Sequence, residues 1–119
     1  MTYARLRSDR LPAWTLEARV LDSWASRMRG LLGTGRDADP VLLTRCSSIH
    51  TVGMGYPIDL LFVGERGRVL KSCLGVTPGE VRSCAGATCA IERPSSKERW
   101  PACGDSVWVS ATSVDALRN

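Results

Sequence analysis

The sequence lacks the features that mark several large classes of protein. It has one histidine, and aromatic residues make up 6% of its 119 residues. It contains no run of about 18 or more apolar residues, the length that a membrane-spanning helix needs. The basic residues near its start are not followed by the apolar segment of a secretory signal. These absences predict a cytoplasmic protein without a membrane partner.

The charge pattern does not suit a nucleic-acid-binding surface. The net charge is +4, and Arg5, Arg7 and Arg10 cluster near the start of the chain. The other cations alternate with acids, as in Glu65-Arg66. A phosphate-binding surface instead concentrates cations on one face, often with stacking aromatic residues between them. We therefore predict no nucleic-acid partner, and we assign residues 1–12 to a short basic N-terminal arm.

The sequence has five cysteines, an odd number that does not suit a disulfide framework. In the cytosol thiols stay reduced, and a free cysteine behaves as a small hydrophobic residue. We expect reduced, buried thiols and no cofactor. The cysteines are Cys46, Cys73, Cys84, Cys89 and Cys103.

Hydrophobic periodicity predicts mainly strands. Alternation over residues 14–20 is typical of a half-buried strand, and apolar spacing from Trp24 to Leu32 predicts a short helix capped at Asp22 or Ser23. The runs at 58–63 and 68–74, joined by a glycine-bearing loop, predict an antiparallel hairpin. Further strands are expected at 81–84, 88–92 and 106–111, and one helical turn at 95–100.

These elements together predict an α+β fold. One short helix among about six strands, without β-α-β alternation, favours a mostly antiparallel sheet curled into a barrel-like shape. Residues 13–112 are expected to form a single globular domain, and residues 113–119 a tail.

The segment from Cys46 to Asp59 holds the densest set of residues whose side chains could bind a ligand or take part in a reaction. It contains the only histidine together with two glycines, which favour unusual backbone angles or close approach of a ligand. This segment is the predicted binding surface for a small molecule or a protein partner. Its ligand-binding candidates are Cys46, Ser48, His50, Thr51, Met54 and Asp59.

Short motifs follow one another in a specific order along most of the chain. They are Arg29-Gly30-Leu31-Leu32, Ser48-Ile49-His50-Thr51-Val52-Gly53-Met54, Tyr56-Pro57-Ile58-Asp59, Gly67-Arg68-Val69, Cys84-Ala85-Gly86-Ala87, Ile91-Glu92 and Gly104-Asp105. The series resembles the bacterial and archaeal family known as domain of unknown function 192. The resemblance implies a compact, barrel-like α+β fold with one helix, and no established activity. Where relatives enter a glycine-bearing turn after Leu-Glu, this chain has Arg93-Pro94, so the sequence assigns no role to Glu92.

Residues of this segment could also form part of a zinc site or of a catalytic thiol triad. A Cys3His zinc site would combine Cys46, His50, Cys84 and Cys89. The first pair lies in a segment that reads as extended, where four steps of about 3.3 Å separate side chains by roughly 10 Å or more. A thiol triad would use Cys46 or Cys84 with His50 and Asp59. We favour a non-catalytic binding domain without a metal; the alternative is a small hydrolase or thiol enzyme that uses His50 with a nearby cysteine.

Asp59 stands apart because it lies within an apolar run. A buried carboxylate needs hydrogen bonds or a cation. The sequence suggests that Asp59 accepts hydrogen bonds from amides of residues 47–55 or pairs with Arg29 or Arg45. A structural role of this kind is favoured over ligand binding.

Overall fold

A computed structural model describes residues 1–115 of the chain. In this part of the chain there are nine strands, one α-helix and one 3-10 turn. In chain order they are β1 Tyr3–Ser8, β2 Thr15–Leu21, α1 Trp24–Arg29, β3 Val41–Thr44, β4 Ser48–His50, β5 Ile58–Val63, the 3-10 turn Glu65–Gly67, β6 Val69–Val76, β7 Val81–Ser83, β8 Cys89–Pro94 and β9 Val107–Ser113. Among residues 1–115, no helix is long and apolar enough to cross a membrane.

Seven of the strands form one mixed sheet, in the order β6-β5-β8-β3-β2-β1-β9. The β2–β3 pair is parallel, and the other neighbours in this sheet are antiparallel. Strands β4 and β7 form a separate antiparallel pair. The predicted hairpin of β5 and β6 is confirmed.

The predicted α+β fold with a barrel-like sheet is wrong, because the protein is mostly β and its sheet is open. Just before the edge strands β6 and β9, Arg68 and Ser106 form an isolated bridge, but among residues 1–115 no ladder pairs these two strands to close a barrel. Helix α1 has only six residues. It ends early because Gly30 adopts φ 50° and ψ −123°, an angle pair that takes the chain out of the helix.

The start of the chain differs from the predicted basic arm. Residues Tyr3–Ser8 form β1, which pairs with β2 on one side and β9 on the other. Ala4 and Leu6 are buried, while Arg5 and Arg7 are only partly exposed. The alternation of apolar and basic residues therefore belongs to a strand. Of the predicted tail 113–119, Ser113 is instead the last residue of β9, residues 114 and 115 follow the strand, and residues 116–119 lie outside the described part of the chain.

The sheet has a hydrophobic cluster on each face. Leu60 and Phe62 of β5 pack in one cluster, whereas Leu61 and Val63 pack in the other. This division follows from the alternation of side chains along a strand. All six residues of β5 are buried, so charged residues on this strand and on its neighbour β8 are forced into the interior.

Candidate functional site

A small cleft lies where the end of α1 meets β4, over one face of the large sheet. Its volume is about 40 Å³. Apolar and polar residues share its wall about equally, and the apolar ones are Met28, Leu31, Leu43, Ile49 and Met54. The polar residues that line it are Arg27, Arg29, Ser48, His50 and Glu92.

Glu92 is the buried acid of this cleft. It lies on β8 opposite Leu60 of β5, and only 4% of its surface is exposed. Within residues 1–115 no hydrogen bond or ion pair reaches its carboxyl group. Burial raises the pKa of Glu92 from 4.5 to about 7. The carboxyl group therefore keeps its proton well above the ordinary range for glutamate.

Gly30 provides the space that the Glu92 carboxyl group occupies. The backbone of Gly30 has a positive φ of 50°, which disfavours other residues. A Cβ atom at this position would lie 2.9 Å from Oε1 of Glu92. The sharp turn after α1 thus brings bare backbone against the acid, and it places the carboxyl group at the helix end of the cleft.

His50 brings a second unsatisfied polar group to the cleft. It is the last residue of β4, pairs with Val81 of β7 and is partly exposed. Its Nδ1 atom is buried and has no hydrogen-bond partner among residues 1–115. Buried polar atoms are normally paired, so an unpaired ring nitrogen on a residue that lines the same cleft as an unpaired carboxyl group is unusual.

The two arginines of the cleft do not neutralise Glu92. Nη1 of Arg27 donates to the carbonyl oxygens of Arg45 at 2.8 Å and Thr44 at 3.3 Å. Nε of Arg29 donates to the carbonyl oxygen of Leu32 at 3.4 Å. In the described part of the chain, neither guanidinium group forms an ion pair with a carboxylate. The interior of the cleft thus holds an acid without a counter-ion.

The structure brings three of the six predicted ligand-binding residues to this cleft: Ser48, His50 and Met54. The hydroxyl groups of Ser48 and Ser83 are 3.1 Å apart and join β4 to β7. Cys46 lies just before β4, and its thiol donates to the carbonyl oxygen of Ser48 at 3.2 Å. Burial raises the pKa of the Cys46 thiol, so it is not an activated thiolate.

Thr51 is fully buried and links two loops. Its hydroxyl group donates to the carbonyl oxygen of Thr77 at 2.7 Å and accepts from the backbone N–H of Glu80 at 2.8 Å. Both bonds lie within the protein, so they hold the segment after β4 against the loop before β7. Thr51 thus supports the position of His50 and is not among the residues that line the cleft.

Asp59 lies outside the cleft, and the partners that the sequence suggested for it are wrong. Its Oδ2 atom pairs with Nε of Arg93 at 2.8 Å. Its Oδ1 atom accepts from the hydroxyl group of Ser95 and the backbone N–H of Gly75, both at 2.9 Å. The N–H of Ser96 donates to Oδ2 at 3.3 Å. The carboxylate is therefore satisfied within the protein, as a structural role requires.

Arg93 is as well satisfied as its partner. Its two terminal nitrogens donate to the carbonyl oxygens of Glu98 at 2.7 Å and Arg99 at 3.0 Å. Its guanidinium carbon lies 4.3 Å from the centre of the Trp100 ring, a cation–π contact. Residues 95–100, where the sequence predicts a helical turn, instead form an irregular loop around this guanidinium group.

The geometry does not assemble the two catalytic or metal-binding alternatives. Asp59 is committed to Arg93, and within residues 1–115 no hydrogen bond joins His50 to a cysteine. In the same part of the chain, no three His, Cys, Asp or Glu residues lie close enough to hold a metal ion. All five cysteines are free thiols. Their predicted burial is only partial, since four are half-buried and Cys103 is exposed.

Reasoning from sequence missed the roles of Glu92 and Gly30. The strand predicted at 88–92 contained the necessary information for Glu92. Alternation along that strand places Glu92 on the same face as Ala90, which is buried. The role of Gly30 depends on a contact with a residue 62 positions away, which no local pattern contains.

The sequence matches no known family model and no curated protein. Its fold is similar to that of a protein of unknown function from Novosphingobium aromaticivorans DSM 12444, with a TM-score of 0.72 and 16% identity over 89% of this chain and 84% of the other. It is also similar to a candidate transcription regulator from Sinorhizobium meliloti 1021, with a TM-score of 0.73 and 16% identity over 92% of this chain and 95% of the other. At this level of identity the similarity concerns the fold. The protein is thus a small domain whose structural neighbours include one of unknown function.

Proposed function

We propose that the protein binds a small ligand in the cleft between α1 and β4, with Glu92 as its polar anchor. The observation that carries this proposal is the Glu92 carboxyl group, which is 4% exposed and has no partner among residues 1–115. A buried polar group without a hydrogen bond costs about 1–3 kcal/mol. The unpaired carboxyl group therefore destabilises the folded state. A ligand that forms a hydrogen bond with it would remove this cost, which gives Glu92 a role in binding.

His50 supports the same proposal from the opposite element. Its buried Nδ1 atom also lacks a partner in the described part of the chain, and the residue lines the same cleft. One ligand that lies between β4 and β8 would contact both groups. The volume of the cleft, about 40 Å³, admits a small chemical group but not the surface of a folded protein. A small molecule therefore fits this site better than a folded partner, and no step of the proposal requires catalysis.

A thermal-shift screen with small polar compounds tests the proposal. Glu92→Leu removes the anchor while keeping the side-chain volume similar, and Glu98→Gln changes an exposed carboxylate as a control. We expect that some compounds raise the melting temperature of the wild type and of Glu98→Gln but not of Glu92→Leu. If the compounds that stabilise the wild type stabilise Glu92→Leu equally, the ligand does not use Glu92 and the proposal is wrong.

We also propose that the chain belongs with the domain of unknown function 192. The support is the order of its motifs, from Arg29-Gly30 through Pro57-Ile58-Asp59 to Gly104-Asp105. The test is a solved structure of a clear family member. The same strand order with acids at the positions of Asp59 and Glu92 would support membership, and a different strand order would contradict it.

A further inference from the structure

We infer that the group held by Glu92 is a primary ammonium group on a short alkyl chain. This inference rests on the proposed function, since it names the chemical class of the ligand for the same cleft. It follows from the charge of the anchor, from the apolar side chains in the cleft wall and from the absence of Phe, Tyr and Trp among the described residues that line it.

The charge of the anchor favours a cation. An ionised carboxylate inside a protein needs a cationic partner or several hydrogen bonds, and Glu92 has neither in the described residues. The contacts seen for Arg27 and Arg29 are with backbone carbonyl oxygens. A bound cation would supply the missing charge and form a charge-assisted hydrogen bond. Above about pH 7, where Glu92 is ionised, a neutral ligand would leave the carboxylate uncompensated.

The wall of the cleft selects among cations. No Phe, Tyr or Trp is among the described residues that line it, so it lacks the cage that binds quaternary ammonium groups by cation–π contact. Recognition must then use N–H donors, as Glu92 supplies acceptor oxygens. A primary ammonium group has three such donors. Leu31, Leu43 and the thioether of Met54 offer the apolar contact that an alkyl chain needs.

The cation and a proton compete for the same carboxyl oxygens. The titratable or charged groups that face Glu92 are Arg27 and Arg29 from the α1 side, His50 on β4 and the Cys46 thiol before β4. The pKa of Glu92 is raised to about 7 by burial, so below this pH a cation must displace a proton. Affinity for an ammonium ligand should therefore rise about tenfold per pH unit below pH 7 and level off above it.

The test is an NMR titration of the full chain with n-butylammonium chloride at constant ionic strength. Butyrate, 1-butanol and tetramethylammonium chloride serve as probes of opposite charge, no charge, and equal charge without N–H donors. At pH 8 we expect saturable binding of n-butylammonium and at least tenfold weaker binding of the other three. From pH 5 to pH 6 the dissociation constant should fall about tenfold.

Two variants make the result specific. Glu92→Gln keeps the shape of the side chain and should weaken n-butylammonium binding at least tenfold, and Glu98→Gln should bind like the wild type. Thermal melts of each variant establish that it is folded. No saturable binding of n-butylammonium, equal binding of butyrate or butanol, or affinity that falls with rising pH would overturn the inference. If neutral or anionic compounds from the screen bind the wild type but not Glu92→Leu, the inference fails while the proposed function stands.

Discussion

Two buried carboxyl groups lie on neighbouring strands of this sheet, and only one of them has hydrogen-bond partners within the described part of the chain. Asp59 on β5 is 0% exposed and has four hydrogen-bond donors, one of them a guanidinium group. Glu92 on β8 is 4% exposed and has none in the described part of the chain. The two side chains point to different faces of the sheet. Glu92 pairs with Leu60 and so shares its face, and Leu60 follows Asp59 on β5, where consecutive side chains alternate between the two faces.

The difference separates a structural acid from a candidate functional one. A satisfied pair such as Asp59 and Arg93 is costly to break because each partner would leave the other charged and buried. An unpaired acid such as Glu92 is costly to keep. Removing the Asp59 carboxylate should therefore destabilise the fold, whereas removing the ionisable group of Glu92 should stabilise it.

The largest expected effect is that of Asp59→Ala. The change leaves the guanidinium group of Arg93 buried without its partner and removes the acceptor for Gly75, Ser95 and Ser96. Breaking a buried ion pair on one side costs about 3–5 kcal/mol. In a domain of this size the melting temperature should fall by at least about 10 °C. Differential scanning calorimetry with exposed Asp39→Ala as the control measures this, and equal melting of the two variants would contradict the structural role.

Glu92→Gln should change the free energy of unfolding in the opposite direction from Asp59→Ala, and the size of this change should depend on pH. Folding raises the pKa of Glu92 from 4.5 to about 7, so between these values the folded state binds more protons than the unfolded state. The free energy of unfolding of the wild type therefore falls as pH rises through this range, by up to about 3 kcal/mol. Glu92→Gln lacks this loss. In urea denaturation, the variant should gain on the wild type between pH 5 and pH 8, and Glu98→Gln should not. A constant difference over this range would show that Glu92 is not perturbed.

Gly30→Ala should have an intermediate effect. The positive φ of Gly30 is strained for alanine, and the new Cβ would lie 2.9 Å from Oε1 of Glu92. Such strain costs about 1–3 kcal/mol. Gly55→Ala is the matched control, since a Cβ there has no atom within 4 Å. Denaturation midpoints of the two variants compare them directly, and a cost at Gly30 no larger than at Gly55 would mean that the Glu92 carboxyl group does not occupy this space.

The smallest expected effect is that of His50→Ala. The ring is partly exposed, and its buried Nδ1 atom makes no hydrogen bond in residues 1–115, so little bonding energy is lost. We expect a change in the free energy of unfolding within about 1 kcal/mol, against the several kcal/mol of Asp59→Ala. A loss as large as that of Asp59→Ala, measured in the same denaturation experiment, would show that His50 has a structural partner.

Local patterns predicted the parts of the fold that depend on neighbouring residues. The β5–β6 hairpin follows from one hydrophobic run and one turn, and both lie within the segment itself. The same reasoning missed β1, because its arginines were read as an arm although Ala4 and Leu6 alternate with them. Whether a sheet closes depends on the distance between its edge strands, which the periodicity of single strands does not contain.

The candidate site was predicted only in part for a similar reason. Ser48, His50 and Met54 were found because they lie close together in sequence. Glu92 reaches them only through pairing of β8 with β3 and β5. The partner of Asp59 was missed because Arg93 is 34 residues away in the chain. Long-range strand pairing thus decides which acid is satisfied and which is not.

The most direct test of this account is a carbon-13 NMR titration of the Glu92 carboxyl group in the ligand-free protein. The signal can be assigned by its absence from the spectrum of Glu92→Gln. If Glu92 is buried without a partner, its carboxyl resonance should titrate with a midpoint pKa of about 7. A midpoint near the ordinary glutamate value of 4.5 would show that the carboxyl group is solvated or paired, and would contradict both the contrast with Asp59 and the proposed site.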